Sequence, residues 1–102
     1  MKIYVAGKIT GDPDYKQKFN EAEKALAKLG HSVMNPASLG DYPEFSYKDY
    51  LFISQAMQMK CSAVLFLHDW ADSNGAMQEF ERAHALNQDI YFDIADIPSA
   101  HE

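Results

Sequence analysis

The sequence predicts a three-layer α/β fold, in which a parallel sheet of four to five strands is packed between helices. Three observations point there. Short β-prone runs alternate with stretches whose apolar residues recur every three or four positions, in the order β-α-β-α-β-α-β. One of those runs, "AVLFL" at residues 63–67, is apolar without alternation, as expected of a strand covered on both faces. With 102 residues, 47% hydrophobic and 24% charged, the chain has enough for one packed core and too little for two. A single domain over residues 1–102 is therefore expected.

The elements follow in order. Lys2 to Ala6 is the first strand, stopped by "GKITG", whose two glycines allow a tight backbone path. Asp12 is positioned to cap the next helix with Pro13 in its first turn, and Tyr15, Phe19, Ala22, Leu26 and Leu29 carry its apolar stripe up to Gly30. His31 to Met34 is the second strand, and "NPASLGDYPEF" is a turn-rich loop. Ser46 and Asp49 have the spacing of a capping box, opening a helix with Tyr50, Ile53, Ala56 and Met57 on one face. Ala63 to Leu67 is a central strand, "HDWADSNG" a loop, Ala76 to Asn87 a helix, and Asp89 to Asp93 with Ile94 the last strand. The tail "DIPSAHE" reads as a frayed end. Strands and helices in this order give a Rossmann- or flavodoxin-like architecture with right-handed crossovers.

Composition narrows the function. Fifteen acidic against nine basic residues give a net charge of −6 without a cationic cluster, which disfavours a nucleic-acid polymer as partner. The lone Cys61 excludes an intrachain disulfide, reads as a small core residue, and suits a reducing, cytoplasmic setting. The apolar run in "MKIYVAG" is too short for a signal peptide or a membrane span, so neither export nor a membrane partner is expected. His31, His68, His84 and His101 lack ligand spacing, so no metal is expected, and nothing calls for another cofactor. His68, at a strand's carboxyl end, is the one histidine placed near a binding site.

Open parallel sheets bind ligands outside the carboxyl ends of their strands. Here "GKITG" and "HDWADSNG" occupy such ends, each leading to a helix N-terminus that attracts phosphate or carboxylate. "GKITG" is neither a Walker loop nor a dinucleotide fingerprint. It reads as an ordinary α/β connection or, because Lys8 and Thr10 add a cation and a hydroxyl, as an anion cradle.

Glu79 is the residue out of place. At about 100° per residue, Ala76, Phe80 and Ala83 form an inward arc that Leu86 extends, and Glu79 falls inside it while Gln78, Glu81 and Arg82 point elsewhere. It is either a first-turn acid complementing the helix dipole or a partly buried carboxylate tuned for catalysis. Asp69 and Asp72 precede it. Paired carboxylates suit glycosidic chemistry, and acids in turns also cap their own backbone. Trp70 has a face that stacks on a nucleobase or covers the sheet end. Tyr42, Phe45, Tyr47 and Tyr50 line either a pocket lid or a subunit interface.

"IYVAGKITG", then Trp70 and "DSNGAMQEFERA" after the central strand, resemble the nucleoside 2-deoxyribosyltransferase family, which includes the 2′-deoxynucleoside 5′-monophosphate N-glycosidases. The chain looks most like a small microbial and phage branch, over roughly residues 1 to 93. The resemblance implies that Glu79 is the nucleophile and that Tyr4 positions it and the sugar. Gly7, Lys8, Ile9, Thr10 and Gly11 fall on the phosphate loop, and Ser73 matches a position that is serine in the monophosphate hydrolases, favouring the hydrolase type. Asp69, Trp70 and Gly75 are added as substrate-binding residues and Asp72 as catalytic. One position departs: the family's aspartate on the helix before the central strand is here Ser54, leaving Asp49, Asp69 or Asp72 to substitute.

The implied activity is cleavage or transfer of the N-glycosidic bond of a 2′-deoxynucleoside or its 5′-monophosphate, by a homodimer. The alternative is a catalytically inactive nucleotide-binding module of the same fold. An interaction domain without a small ligand is a third reading.

Overall fold

The computed structural model describes residues 1–100. Its parallel strands are β1 (Lys2–Ala6), β2 (Ser32–Met34), β3 (Ala63–Phe66) and β4 (Asp89–Tyr91), ordered β2-β1-β3-β4. Three helices connect them: α1 (Tyr15–Lys28), α2 (Tyr47–Met59) and α3 (Asn74–Ala85). The chain leaves β1 towards β2 and returns to β3 on the other side, so strand order reverses between β1 and β3. Short 3-10 turns occupy Pro36–Leu39, Trp70–Asp72 and Ile94–Asp96.

The period-two geometry of β1 divides the core into two layers. Ile3 and Val5 join Ala63 and Leu65 of β3 against Phe19, Ala22 and Leu26 of α1. Tyr4 and Ala6 turn to the opposite face, with Val64, Phe66 and Ala83, flanked by half-buried Met57, Trp70, Phe80 and Ile90. All four residues of β3 are buried, as its unbroken apolar run requires.

Boundaries differ where local polar chemistry competes with periodicity. Asp12 accepts the Asp14 N–H at 2.9 Å and closes a turn, so α1 begins at Tyr15 rather than at Pro13. The capping box at Ser46 forms as read: Asp49 N–H donates to Ser46 Oγ at 3.2 Å and Ser46 N–H to Asp49 Oδ2 at 2.7 Å. The buried face of α2 is rotated from the expected one, with Ala56 exposed and Gln58 fully buried, because hydrogen bonds to α3 fix Gln58 inward. Leu86 lies past the end of α3 and is exposed, and Asn87 turns the chain away with a φ of 55°. Asp93 caps the Ala95 N–H at 2.9 Å, so Ile94 starts a turn and β4 ends at Tyr91.

The tail is tied down, not frayed, as far as Ala100. Ile97 is buried, His31 Nε2 pairs with the Pro98 carbonyl at 2.7 Å, and Ala100 N–H donates to the Leu29 carbonyl at 2.7 Å. His101 and the last residue of that tail lie outside the described residues. Among the described residues, no helix is long and apolar enough to cross a membrane.

Candidate active site

Tyr4 sits at the strand-order reversal, level with Met34 of β2 and Val64 of β3, and is fully buried. Its hydroxyl donates a hydrogen bond to Glu79 Oε2 on α3. Two local features bring Glu79 there. Ser73 caps α3 by accepting the Ala76 N–H at 3.2 Å, and Ala76 and Ala83 are small enough to seat that helix closely on the sheet. Glu79 lies three residues after one alanine and four before the other, hence on the face they bury. It belongs to the second helical turn, and the first turn holds no acid, so the helix dipole does not account for it.

The pair is electrostatically tense. Glu79 is half-buried as a residue, yet its carboxyl group is enclosed enough that burial pushes its pKa up to about 7. The Tyr4 hydrogen bond and the Arg82 charge pull in the opposite direction and are outweighed. Tyr4 is driven well above the ordinary phenol value by burial, then by the charge and hydrogen bond of Glu79, with Ser54 and Arg82 opposing. Glu79 therefore exchanges its proton near neutrality while Tyr4 keeps its own.

Behind this pair lies a network that sequence reasoning missed. The Gln58 side-chain Nε2 donates to the Glu79 carbonyl at 2.8 Å and to Gln88 Oε1 at 3.1 Å, and its Oε1 accepts from Arg82 Nη1 at 2.9 Å. Gln88 Nε2 in turn donates to the carbonyls of Gln58 and Cys61, each at 2.8 Å. The amide of α2 thus fixes both the backbone of Glu79 and the guanidinium one turn beyond it.

A cavity of about 310 Å³ opens in front of Glu79. Of the residues expected at the site, Tyr4, Gly7, Ile9, Thr10, Ser73, Gly75 and Glu79 line it together. Lys8, Gly11, Asp69, Trp70 and Asp72 do not. Asp72 is exposed, and Trp70 stacks on Phe80 at 4.8 Å between ring centroids and packs against Phe66 and Phe92, covering the sheet end. Asp69 accepts the Lys8 N–H at 3.1 Å and pairs with the Lys18 ammonium. Ser54 lines the cavity, its hydroxyl donating to the Leu51 carbonyl at 3.1 Å.

Other lining residues were not foreseen. Gln78 and Arg82, expected to point elsewhere, reach the cavity because long side chains lean along the helix surface. Arg82 stands three residues after Glu79, a helix-neighbour spacing that could have identified it. Asp41 and Tyr15 also contribute. Lys16 at 3.0 Å, then the Tyr15 hydroxyl at 3.1 Å, hold the Asp41 carboxyl below the usual range. Tyr47 and Tyr50 line the cavity, whereas Tyr42 and Phe45 are largely exposed beside it. His68 is exposed. Among the described residues, no three histidine, cysteine or carboxylate side chains gather as a metal site.

The arrangement of strands and helices is similar to that of a solved 2-deoxyribosyltransferase from the psychrotolerant bacterium Bacillus psychrosaccharolyticus. The match covers 88% of this chain and 69% of that one, with a TM-score of 0.70 and 18% sequence identity. At that identity the likeness establishes the fold. No curated protein matches the sequence. A family model described as a domain of unknown function, DUF4406, matches residues 1–92. The chain therefore belongs to the DUF4406 family.

Proposed function

We propose that this cavity is the active site of an enzyme that cleaves or transfers the N-glycosidic bond of a 2′-deoxynucleoside or its 5′-monophosphate. The observation that carries the reading is the Tyr4–Glu79 pair, a carboxyl group with a pKa of about 7, oriented by a buried phenol at the mouth of a parallel sheet. In its ionised form Glu79 attacks C1′ through an oxocarbenium-like transition state, and the C1′–N electron pair departs with the base. The departing base takes up a proton from water. Water then opens the glycosyl ester, giving a hydrolase, or a second base takes the sugar, giving a transferase.

Leaving-group protonation is where this chain departs from its look-alikes. Ser54 is no carboxylic acid, Asp49 is spent on its capping box, and Asp69 and Asp72 lie off the cavity. Asp41, the other cavity carboxylate, is held ionised by Lys16. That shortage supports a second reading, a nucleotide-binding module that keeps the fold without turnover. Incubating the protein with the four 2′-deoxynucleosides and their 5′-monophosphates, and following free base by liquid chromatography, separates the two. Base release that vanishes in Glu79→Ala supports the enzyme. Ligand-induced thermal stabilisation without release supports the module, and neither signal defeats both.

A further inference from the structure

Helix α2 carries apolar side chains on every side, yet among its described residues Gln58 alone is buried. A helix apolar all round is ordinarily enclosed all round. The inward side of α2 is accounted for: Tyr50, Leu51 and Ser54 line the candidate cavity, and Met57 packs against the layer of Tyr4 and Phe66. The outward side has no such cover. At about 100° per residue, Phe52, Ala56 and Met59 fall in one narrow stripe there, with Phe52 77% and Met59 54% exposed. Phe45, seven residues before Phe52 and just ahead of the helix, prolongs the stripe, and with Asp49, Phe52 and Ile53 it lines a shallow groove. Phe92, also exposed, is packed on Phe66, Trp70 and Phe80, whereas among the described residues no ring contact involves Phe52.

From this stripe we propose that the outward face of α2 binds the same face of a second copy of the chain, the two helices running antiparallel about a two-fold axis at Phe52. The occupant follows from self-complementarity. Apolar residues at seven-residue spacing, here Phe45, Phe52 and Met59, are what the seam of a helix pair requires. An axis at Phe52 sets that ring against its own copy and brings the groove beside Phe45 to Met59 of the second copy, whose flexible thioether chain fills irregular gaps. The same axis sets Glu44 opposite Lys60 of the second copy, because the two residues stand equally far from Phe52 in sequence. Both are exposed, and neither has an ion-pair partner among the described residues. A parallel pairing would oppose Glu44 to Glu44 and Lys60 to Lys60, like charge against like. The seam leaves the candidate cavity open, since the cavity lies on the other side of α2, and the proposal does not depend on the function proposed above.

Sedimentation velocity of the full chain over about 5 to 200 μM tests it. One helix seam is at the small end of specific interfaces, so a dimer forming in the micromolar range is expected. A monomer throughout overturns the proposal. Phe52→Glu sets a carboxylate against its own copy and should weaken the dimer by about tenfold or more. Its circular dichroism should stay that of wild type, because the side chain is already largely in water. An unchanged dimer overturns the choice of face. Lys60→Glu opposes like charges and should weaken the dimer several-fold, and adding Glu44→Lys should restore it; absence of restoration overturns the antiparallel pairing. Should Phe52→Glu disturb the fold, the charge swap, made at two exposed residues, decides alone.

Discussion

Glu79 and Asp69 stand near the same carboxyl edge of the sheet and are held in opposite electrostatic states. Burial dominates at Glu79, where a phenol and a guanidinium already shared with Gln58 fall short of balancing it, and the pKa climbs to about 7. Burial also pushes Asp69 up, but the Lys18 ammonium and the Lys8 N–H prevail and hold it below the ordinary carboxylate range. The difference lies in the partners. A full counter-charge in contact turns one acid into a structural clamp, while a neutral donor leaves the other short of stabilisation and facing a cavity.

The strongest test of that contrast removes the strained acid. If base release proceeds through Glu79, Glu79→Ala should reduce it by ~10⁴-fold, the scale seen when a covalent nucleophile is deleted. Because only the ionised carboxylate attacks, wild-type turnover should rise with pH through about 7. Tyr4→Phe deletes a hydrogen bond that lowers the Glu79 pKa, so the midpoint should move to higher pH. A pH profile with its midpoint near the ordinary 4.5 in the wild type would show that burial does not raise the Glu79 carboxyl.

The same strain should be visible without substrate. A folded-state pKa raised from 4.5 to about 7 means that ionising Glu79 weakens the fold. There is no penalty below the unfolded value, a growing one as pH rises from 4.5, and a plateau above about 7. Glu79→Gln should therefore stabilise the protein by up to about 3 kcal/mol at pH 8, at about 1.36 kcal/mol per unit, and by little at pH 4. Urea titrations at the two pH values measure this, and an equal effect at both would remove the strain from the account.

How much of this was legible in the sequence depends on which interactions set each feature. The succession of strands and helices followed from local periodicity, as at "AVLFL", whose four β3 residues are all buried, whereas the strand order within the sheet is set by long-range pairing. Glu79 stood out because a carboxylate broke an apolar stripe, and Tyr4 met it by resemblance. Gln58 gave no such signal: a glutamine near a helix end reads as solvated, and only the approach of α3 and Gln88 supplies its partners. Trp70 was ambiguous, since the same ring stacks on a base or on Phe80, and the neighbouring aromatics that decide between them come from α3 and the residues after β4. Lys18 was hidden on the polar side of a good amphipathic helix, with partners far apart in sequence.

Gln58 offers a smaller perturbation that reaches the strained acid from behind. Gln58→Leu keeps the volume but leaves the Glu79 carbonyl and the Arg82 guanidinium without that partner. Unpaired buried polar groups cost roughly 1–3 kcal/mol, so a loss of about 2 kcal/mol is expected. Turnover should fall as well, with KM less affected than kcat, because Gln58 does not line the cavity. Gln58→Glu retains an acceptor for Arg82 and should recover part of the kcat; recovery absent while stability returns would confine Gln58 to a structural role.

The clamp at Asp69 yields the smallest effect and the opposite pH dependence. Its carboxyl is held low, so its contribution is present above the unfolded carboxylate value and is lost as pH falls through the folded one. Lys18 is held above 10.5, partial burial opposing but Asp12 and Asp69 prevailing, so its contribution persists until pH rises through that folded value. Lys18→Met should consequently cost about 1 kcal/mol near neutrality, a figure kept low because solvent still screens the Lys18–Asp69 pair. The gap to wild type should close under acid, where the Glu79 penalty is also relieved. From pH 8 down to pH 4 the melting curve of Glu79→Gln should thus converge on wild type while that of Lys18→Met keeps its gap, which closes only below 3.8 as Asp69 and Asp12 take up protons, and gaps that shrank together between pH 8 and 4 would mean that the two carboxylates are not in opposite states.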